Sequence, residues 1–123
     1  MRKVLVVDDL YGIRVLLKEV LEKDGYEMYQ AANGMQALTI LEEHQLDLVL
    51  LDVKLPGMNG LDVLKQIKLR YPHIGVIMMT AYEELDLMKE AKSFGACAHF
   101  SKPFEINEVR RIISSCIKNI ENN

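Results

Sequence analysis

The sequence is short of the residues that mark most specialised chains. It has two cysteines and three prolines in 123 residues, and no tract rich in proline or serine. No repeat or low-complexity segment divides it, so nothing in it reads as a linker. No apolar run approaches the roughly 20 residues needed to span a bilayer. An excess of charge of one sign is also missing: 15 basic residues face 18 acidic ones, for a net charge of −3. A general nucleic-acid binder needs a basic face, which this balance does not provide. The opening MRKVLVVDD starts basic and apolar, but Asp8 and Asp9 end the run too early for a signal peptide. Without an export signal the expected compartment is the cytoplasm, with neither nucleic acid nor membrane as a partner. Cys97 and Cys116 then read as buried small hydrophobes rather than as a disulfide.

What is present is a globular composition. Half of the residues are hydrophobic and 27% are charged, and the length suits one compact domain. Short apolar runs alternate with longer amphipathic segments. The runs are Val4–Val7, Glu27–Ala31, Leu48–Leu51, Val76–Met79 and Cys97–Phe100. Four of these runs are nearly continuous in apolar residues, the pattern of strands covered on both faces. The second, EMYQA, alternates and is more polar, which suits a sheet edge.

Between the runs, apolar residues recur at helical spacing. Ile13, Leu16, Leu17, Val20 and Leu21 form one stripe, and Ala37, Leu38 and Leu41 a shorter one. Leu61, Leu64, Ile67 and Tyr71 form a third. Leu85, Met88 and Ala91 form a weak fourth, and Ile106, Val109, Ile113, Cys116, Ile117 and Ile120 a fifth. Each reads as core packing. Asn59 is placed to cap the third helix, and Gly25 and Gly95 stand where helices end.

This alternation predicts an α/β fold, a parallel sheet with helices on both faces and the flavodoxin-like strand order 2-1-3-4-5. In such sheets ligands sit beyond the carboxyl ends of the strands. Asp8 and Asp9 follow the first run, Asp52 the third, Thr80 the fourth, and Ser101, Lys102 and Pro103 the fifth. The second is followed by Ala32, Asn33 and Gly34, with no charge. In the predicted order the four charged or hydroxylic ends are neighbours. Packed carboxylates repel unless a cation sits among them, and oxygen-only ligands select Mg²⁺, with Mn²⁺ as a substitute. The Lys54 carbonyl could add another oxygen. Lys102 and Thr80 suit an anion arriving with the metal. A carboxylate, a hard cation, a lysine and a threonine around one cavity make a phosphoryl-transfer site, with an aspartate able to act as nucleophile.

At this point the motifs VLVVDD, LVLLDVKLPGMNG, VIMMTA and SKPF resemble the response-regulator receiver domains of bacterial two-component signalling. The resemblance implies the (βα)5 receiver fold over residues 1–123, as one receiver domain with no effector domain. It implies that Asp52 accepts the phosphoryl group and that Asp8, Asp9, Asp52 and the Lys54 carbonyl bind Mg²⁺. Thr80 and Lys102 match the residues that bind the phosphoryl oxygens. His99 stands where the family often has a switching Tyr or Phe, and Asn59 replaces the commoner Asp of the loop.

DDLYGIRVLL, QAANG and TAYEELD, with Lys54 and His99, resemble the single-domain sporulation phosphorelay intermediates of Bacillus-like bacteria. That likeness implies a cytoplasmic, monomeric phosphotransferase-like carrier. Its partners are a sensor histidine kinase, a histidine-containing phosphotransferase and a response-regulator phosphatase. The implied partner-binding residues are Gly12, Ile13, Arg14, Lys54, Tyr82, His99 and Pro103. Ile13 is either an exposed anchor for the partner or a member of the core stripe; its spacing allows both. Lys54 and Tyr82 flank the pocket and are long enough to restrict water. A chemotaxis-like receiver that works by docking when phosphorylated shares every one of the pocket residues. A haloacid-dehalogenase-type phosphohydrolase instead needs a second carboxylate two residues after Asp52, where Lys54 stands.

Overall fold

A computed structural model describes residues 1–122. Strand β1 (Lys3–Val7) is followed by α1 (Tyr11–Lys23), β2 (Glu27–Ala31) and α2 (Gly34–Glu43). Then come β3 (Leu48–Asp52), α3 (Gly60–Arg70) and β4 (Gly75–Ala81). A 3₁₀ segment (Tyr82–Leu87) leads into the short α4 (Met88–Ser93), and β5 (Ala98–Lys102) and α5 (Ile106–Glu121) follow. The five strands form one sheet in the order β2-β1-β3-β4-β5, and all four pairings are parallel.

The apolar strands are explained by what covers them. Alternate residues of the central strands enter two cores. Leu5, Val7, Val49, Leu51, Val76 and Met78 face α2, α3 and α4. Val4, Val6, Leu48, Leu50, Ile77 and Met79 face α1 and α5. Every residue of β3 is buried, so neither face of it tolerates a polar side chain until its last position, Asp52. The polar β2 lies at the edge, as its alternation predicts.

Three details differ from the sequence pattern. Leu16 falls within the predicted α1 stripe yet is 39% exposed, because Leu17, Val20 and Leu21 already fill the contact with the sheet. The weak fourth stripe resolves into the 3₁₀ segment and a six-residue helix, since YEELDL carries acids where a longer helix needs apolar residues. Strand β4 runs on past Met79 to include Thr80 and Ala81. The termini follow expectation. Gly25 and Gly95 end helices with positive φ. Asn59 accepts the Leu61 N–H at 2.8 Å, and Asn33 accepts that of Gln36 at 2.9 Å. Asn59→Ala is expected to cost about 1 kcal/mol in urea unfolding, while Asn59→Asp should leave stability nearly unchanged. Among the described residues no helix is long and apolar enough to cross a membrane.

Candidate active site

The parallel register brings four strand ends together. Val7 stands opposite Leu51, Asp52 opposite Met79, and Ala81 opposite Lys102. The order reverses between β1 and β3, the switch point where an α/β sheet opens a crevice. Asp8 and Asp9 leave β1 there, and Asp52 ends β3 beside them.

Carboxylate oxygens of Asp8, Asp9 and Asp52 lie within 4.8 Å of one another. Asp8 is fully buried and Asp52 nearly so, while Asp9 is exposed at the mouth. The Leu10 N–H donates to Asp8 Oδ1 at 2.9 Å, which fixes that carboxylate. Lys102 Nζ donates to Asp8 Oδ2 at 2.6 Å and to Asp52 Oδ2 at 3.2 Å. One ammonium therefore serves two buried carboxylates, and the pocket keeps an excess of negative charge. Burial pushes the Asp52 carboxyl up to about 6 and the charge on Asp8 adds to this, while Lys102 and the Lys54 backbone N–H oppose it. Burial alone would lower the Lys102 pKa. Its bonds to Asp8 and Asp52 outweigh that and raise it. Three oxygen donors, two of them buried and under-neutralised, fit a hard divalent cation.

Thr80 is buried one residue beyond Met79, and its hydroxyl donates to the Ala81 carbonyl at 3.0 Å. To serve an anion over Asp52 it must leave that bond. The Lys102–Pro103 peptide bond is cis.

The response regulator receiver domain family matches residues 4–114. This chain belongs to that family. The receiver is 56% identical over 108 residues to sporulation initiation phosphotransferase F of Bacillus subtilis (strain 168), covering 88% of this chain and 87% of that protein. It is 38% identical over 118 residues to the DNA-binding transcriptional regulator NtrC of Escherichia coli (strain K12). That match covers 96% of this chain but only 25% of that longer protein. Among solved structures, a CheY-like receiver domain protein from Methanospirillum hungatei JF-1 superposes with a TM-score of 0.94 at 30% identity. The superposition covers 99% of this chain and 98% of that one.

The residues expected to meet partners of this receiver fall into two sets. Gly12, Lys54, Tyr82, His99 and Pro103 are exposed. Ile13 and Arg14 are half-buried. Ile13 packs on the α1–α5 core, and Arg14 donates to the Asp8 carbonyl at 2.7 Å and lies over the Tyr11 ring. The apolar surface that α1 shows to solvent comes instead from Leu10, Tyr11, Val15 and Leu16.

One residue beside the site escaped sequence reasoning. Glu84 is buried, its Oε1 accepts the Ala81 N–H at 2.9 Å, and its Oε2 lies 3.6 Å from Lys54 Nζ. No other partner reaches that oxygen among the described residues. Nothing in YEELD distinguishes Glu84 from its exposed neighbour Glu83.

Proposed function

We propose that this receiver is a phosphorelay carrier. Asp52 takes a phosphoryl group from a phosphohistidine of a sensor kinase and gives it to a histidine of a phosphotransferase. The observation that carries the reading is the buried Asp52 carboxylate at a strand end, sharing Lys102 with Asp8 and lying beside Asp9. The likeness to a sporulation initiation phosphotransferase supports the sporulation setting and the two kinds of partner.

In this reading an Asp52 oxygen attacks phosphorus in line. The O–P bond forms as the P–N bond to the donor histidine breaks, and the departing imidazole takes up a proton. Lys102, already shared by two carboxylates, swings its positive charge onto a phosphoryl oxygen. Thr80 exchanges the Ala81 carbonyl for a second oxygen. Asp8, Asp9, Asp52 and the Lys54 carbonyl would hold Mg²⁺, or Mn²⁺ in its place. The bound ion supplies charge neutralisation and orientation of the phosphoryl group. The partner helix that bears the histidine approaches over the rim of Gly12, Ile13, Arg14, Tyr82, His99 and Pro103.

A relay needs a phosphoryl group that outlasts the encounter. Lys54 stands two residues beyond Asp52 with its Nζ 3.6 Å from Glu84, and in this reading its long side chain restricts water at the acyl phosphate. Lys54→Asn is therefore expected to speed loss of phosphate several-fold, measured as decay of label in the isolated phosphoprotein. An unchanged decay rate would remove Lys54 from that role.

The function itself is tested by label transfer. With Mg²⁺, label should move from a phosphorylated histidine kinase to this chain and on to a histidine phosphotransferase, and chelation should stop the first step. Label that enters but never leaves for a histidine favours the alternative, a chemotaxis-like receiver that docks onto its target when phosphorylated.

A further inference from the structure

Both cysteines are free thiols, as the sequence suggests, but only one of them is buried. Cys116 is buried on α5, but Cys97, just ahead of β5, is exposed. Their sulfurs lie 2.8 Å apart, and Cys97 Sγ also donates to the Val76 carbonyl at 3.3 Å. Neither thiol takes part in the chemistry at Asp52.

We propose that Cys97 and Cys116 form an oxidant-responsive thiol pair that closes to an intramolecular disulfide under hydrogen peroxide, pinning the start of β5 to the middle of α5. Both partners are already held in place. The Cys97 N–H donates to the Val76 carbonyl at 2.9 Å, and Cys116 is fixed among Ile113 and Ile117 in the α1–α5 core. A disulfide needs its sulfurs at about 2.05 Å, so closure is a side-chain adjustment rather than a search. In a reducing compartment the bridge would form only during an oxidant challenge and then be reduced again.

Exposure and chemistry divide the roles. The hydrogen bond with Cys116 pushes the Cys97 thiol pKa down, and Lys68 acts in the same direction. The same bond and burial push the Cys116 thiol up. Cys97 is thus the thiolate that peroxide meets first, and Cys116 is the resolving thiol. The Cys97 thiolate attacks one peroxide oxygen. An S–O bond forms, the O–O bond breaks, and the hydroxide released takes the thiol proton as water. The Cys116 sulfur then attacks the Cys97 sulfenic acid. The S–S bond forms, and the S–O bond breaks with loss of a second water. Two electrons pass from the thiols to the peroxide, so one peroxide yields one bridge and two waters.

The test uses the intact reduced chain with stoichiometric peroxide, followed by a thiol alkylator. The expected product is a monomer that has lost the mass of two hydrogens, takes up no alkylator and yields one peptide pair linking Cys97 to Cys116. Closing a loop of this size should raise the melting temperature by about 10 °C, reversibly with dithiothreitol. In Cys97→Ser, whose hydroxyl can still donate to the Val76 carbonyl, both the mass change and the thermal shift should vanish. Dimers joined through Cys97 would overturn the proposal, as would sulfinic acid at Cys97 with Cys116 still open to alkylation. Both are read on the parent protein and do not depend on any variant folding.

Discussion

Asp52→Asn should take up no phosphoryl label from any donor and yet, with divalent ions chelated, unfold at higher temperature than the parent. The first half follows from chemistry: the amide oxygen is a poor nucleophile, and the proposed mechanism has no other acceptor in the pocket. The second follows from counting charge. Asp8 and Asp52 are buried, and among the described residues Lys102 is the one ammonium bonded to both. The buried set therefore carries surplus negative charge, and Asp52 holds the longer and weaker of the two bonds, 3.2 Å against 2.6 Å. Removing that charge leaves Lys102 and Asp8 as a single balanced pair. The expected gain is about 1–2 kcal/mol, read by thermal or urea unfolding in EDTA. The pH dependence has a definite sign. The folded Asp52 carboxyl is raised from 3.8 to about 6, so its ionisation costs stability fully above about 6 and not at all below 3.8. The advantage of the variant should accordingly shrink as pH falls through 6 towards 4. Adding Mg²⁺ should reverse the order, because an ion that binds the native three-carboxylate site stabilises the parent more than a variant missing one ligand. A variant no more stable than the parent in EDTA at pH 7.5 would show that Lys102 already balances the pocket.

How far the sequence revealed this depends on the strand. β3 was legible because both of its faces are covered, which makes LVLL continuous and leaves Asp52 conspicuous at its end. β2 was legible because EMYQA alternates as an edge must. The run CAHF misleads, since β5 is the other edge. Only β4 flanks it, so Cys97 and His99 reach solvent despite an apolar neighbourhood. Asp8 and Asp9 cannot be ranked from sequence. Adjacent residues leaving a strand point to different sides, and only the structure shows that Asp8 turns inward to Lys102 while Asp9 stays at the mouth. Thr80 lies at the β4 end of the sheet edge, as its place in the sequence suggests, but its hydroxyl bond to the Ala81 carbonyl is a contact with the backbone that no motif encodes. Glu84 escaped because its burial depends on the 3₁₀ turn folding back over the Ala81 N–H, a tertiary consequence of helical spacing that fails in YEELDL.

Gly60→Ala should damage the protein more than any other single-methyl addition in the PGMNG loop. The loop leaves Asp52, turns through Pro56 and Gly57, and returns so tightly that the Gly60 N–H donates to the Val53 carbonyl at 2.8 Å. A Cβ at residue 60 would lie 2.2 Å from the Asp52 carbonyl oxygen, 2.7 Å from that of Val53 and 2.8 Å from Val53 Cα. All three are backbone atoms, so no side chain can rotate out of the way. Either the first turn of α3 lifts from the sheet or the end of β3 is pushed aside. The expected cost is about 3 kcal/mol or more, seen as a lower urea midpoint. Gly57 provides the contrast. Its φ of +77° strains any other residue, but a Cβ there meets open space. Gly57→Ala should therefore cost only about 1 kcal/mol. The difference between the two separates close approach from backbone preference. It also bears on function, because the carbonyl that Gly60 spares belongs to Asp52. In the Gly60 variant, phosphoryl uptake measured where the protein is still folded should fall along with stability, whereas the Gly57 variant should keep it. Equal losses of stability in the two would show that the loop shifts freely and that α3 does not hold the end of β3 in place.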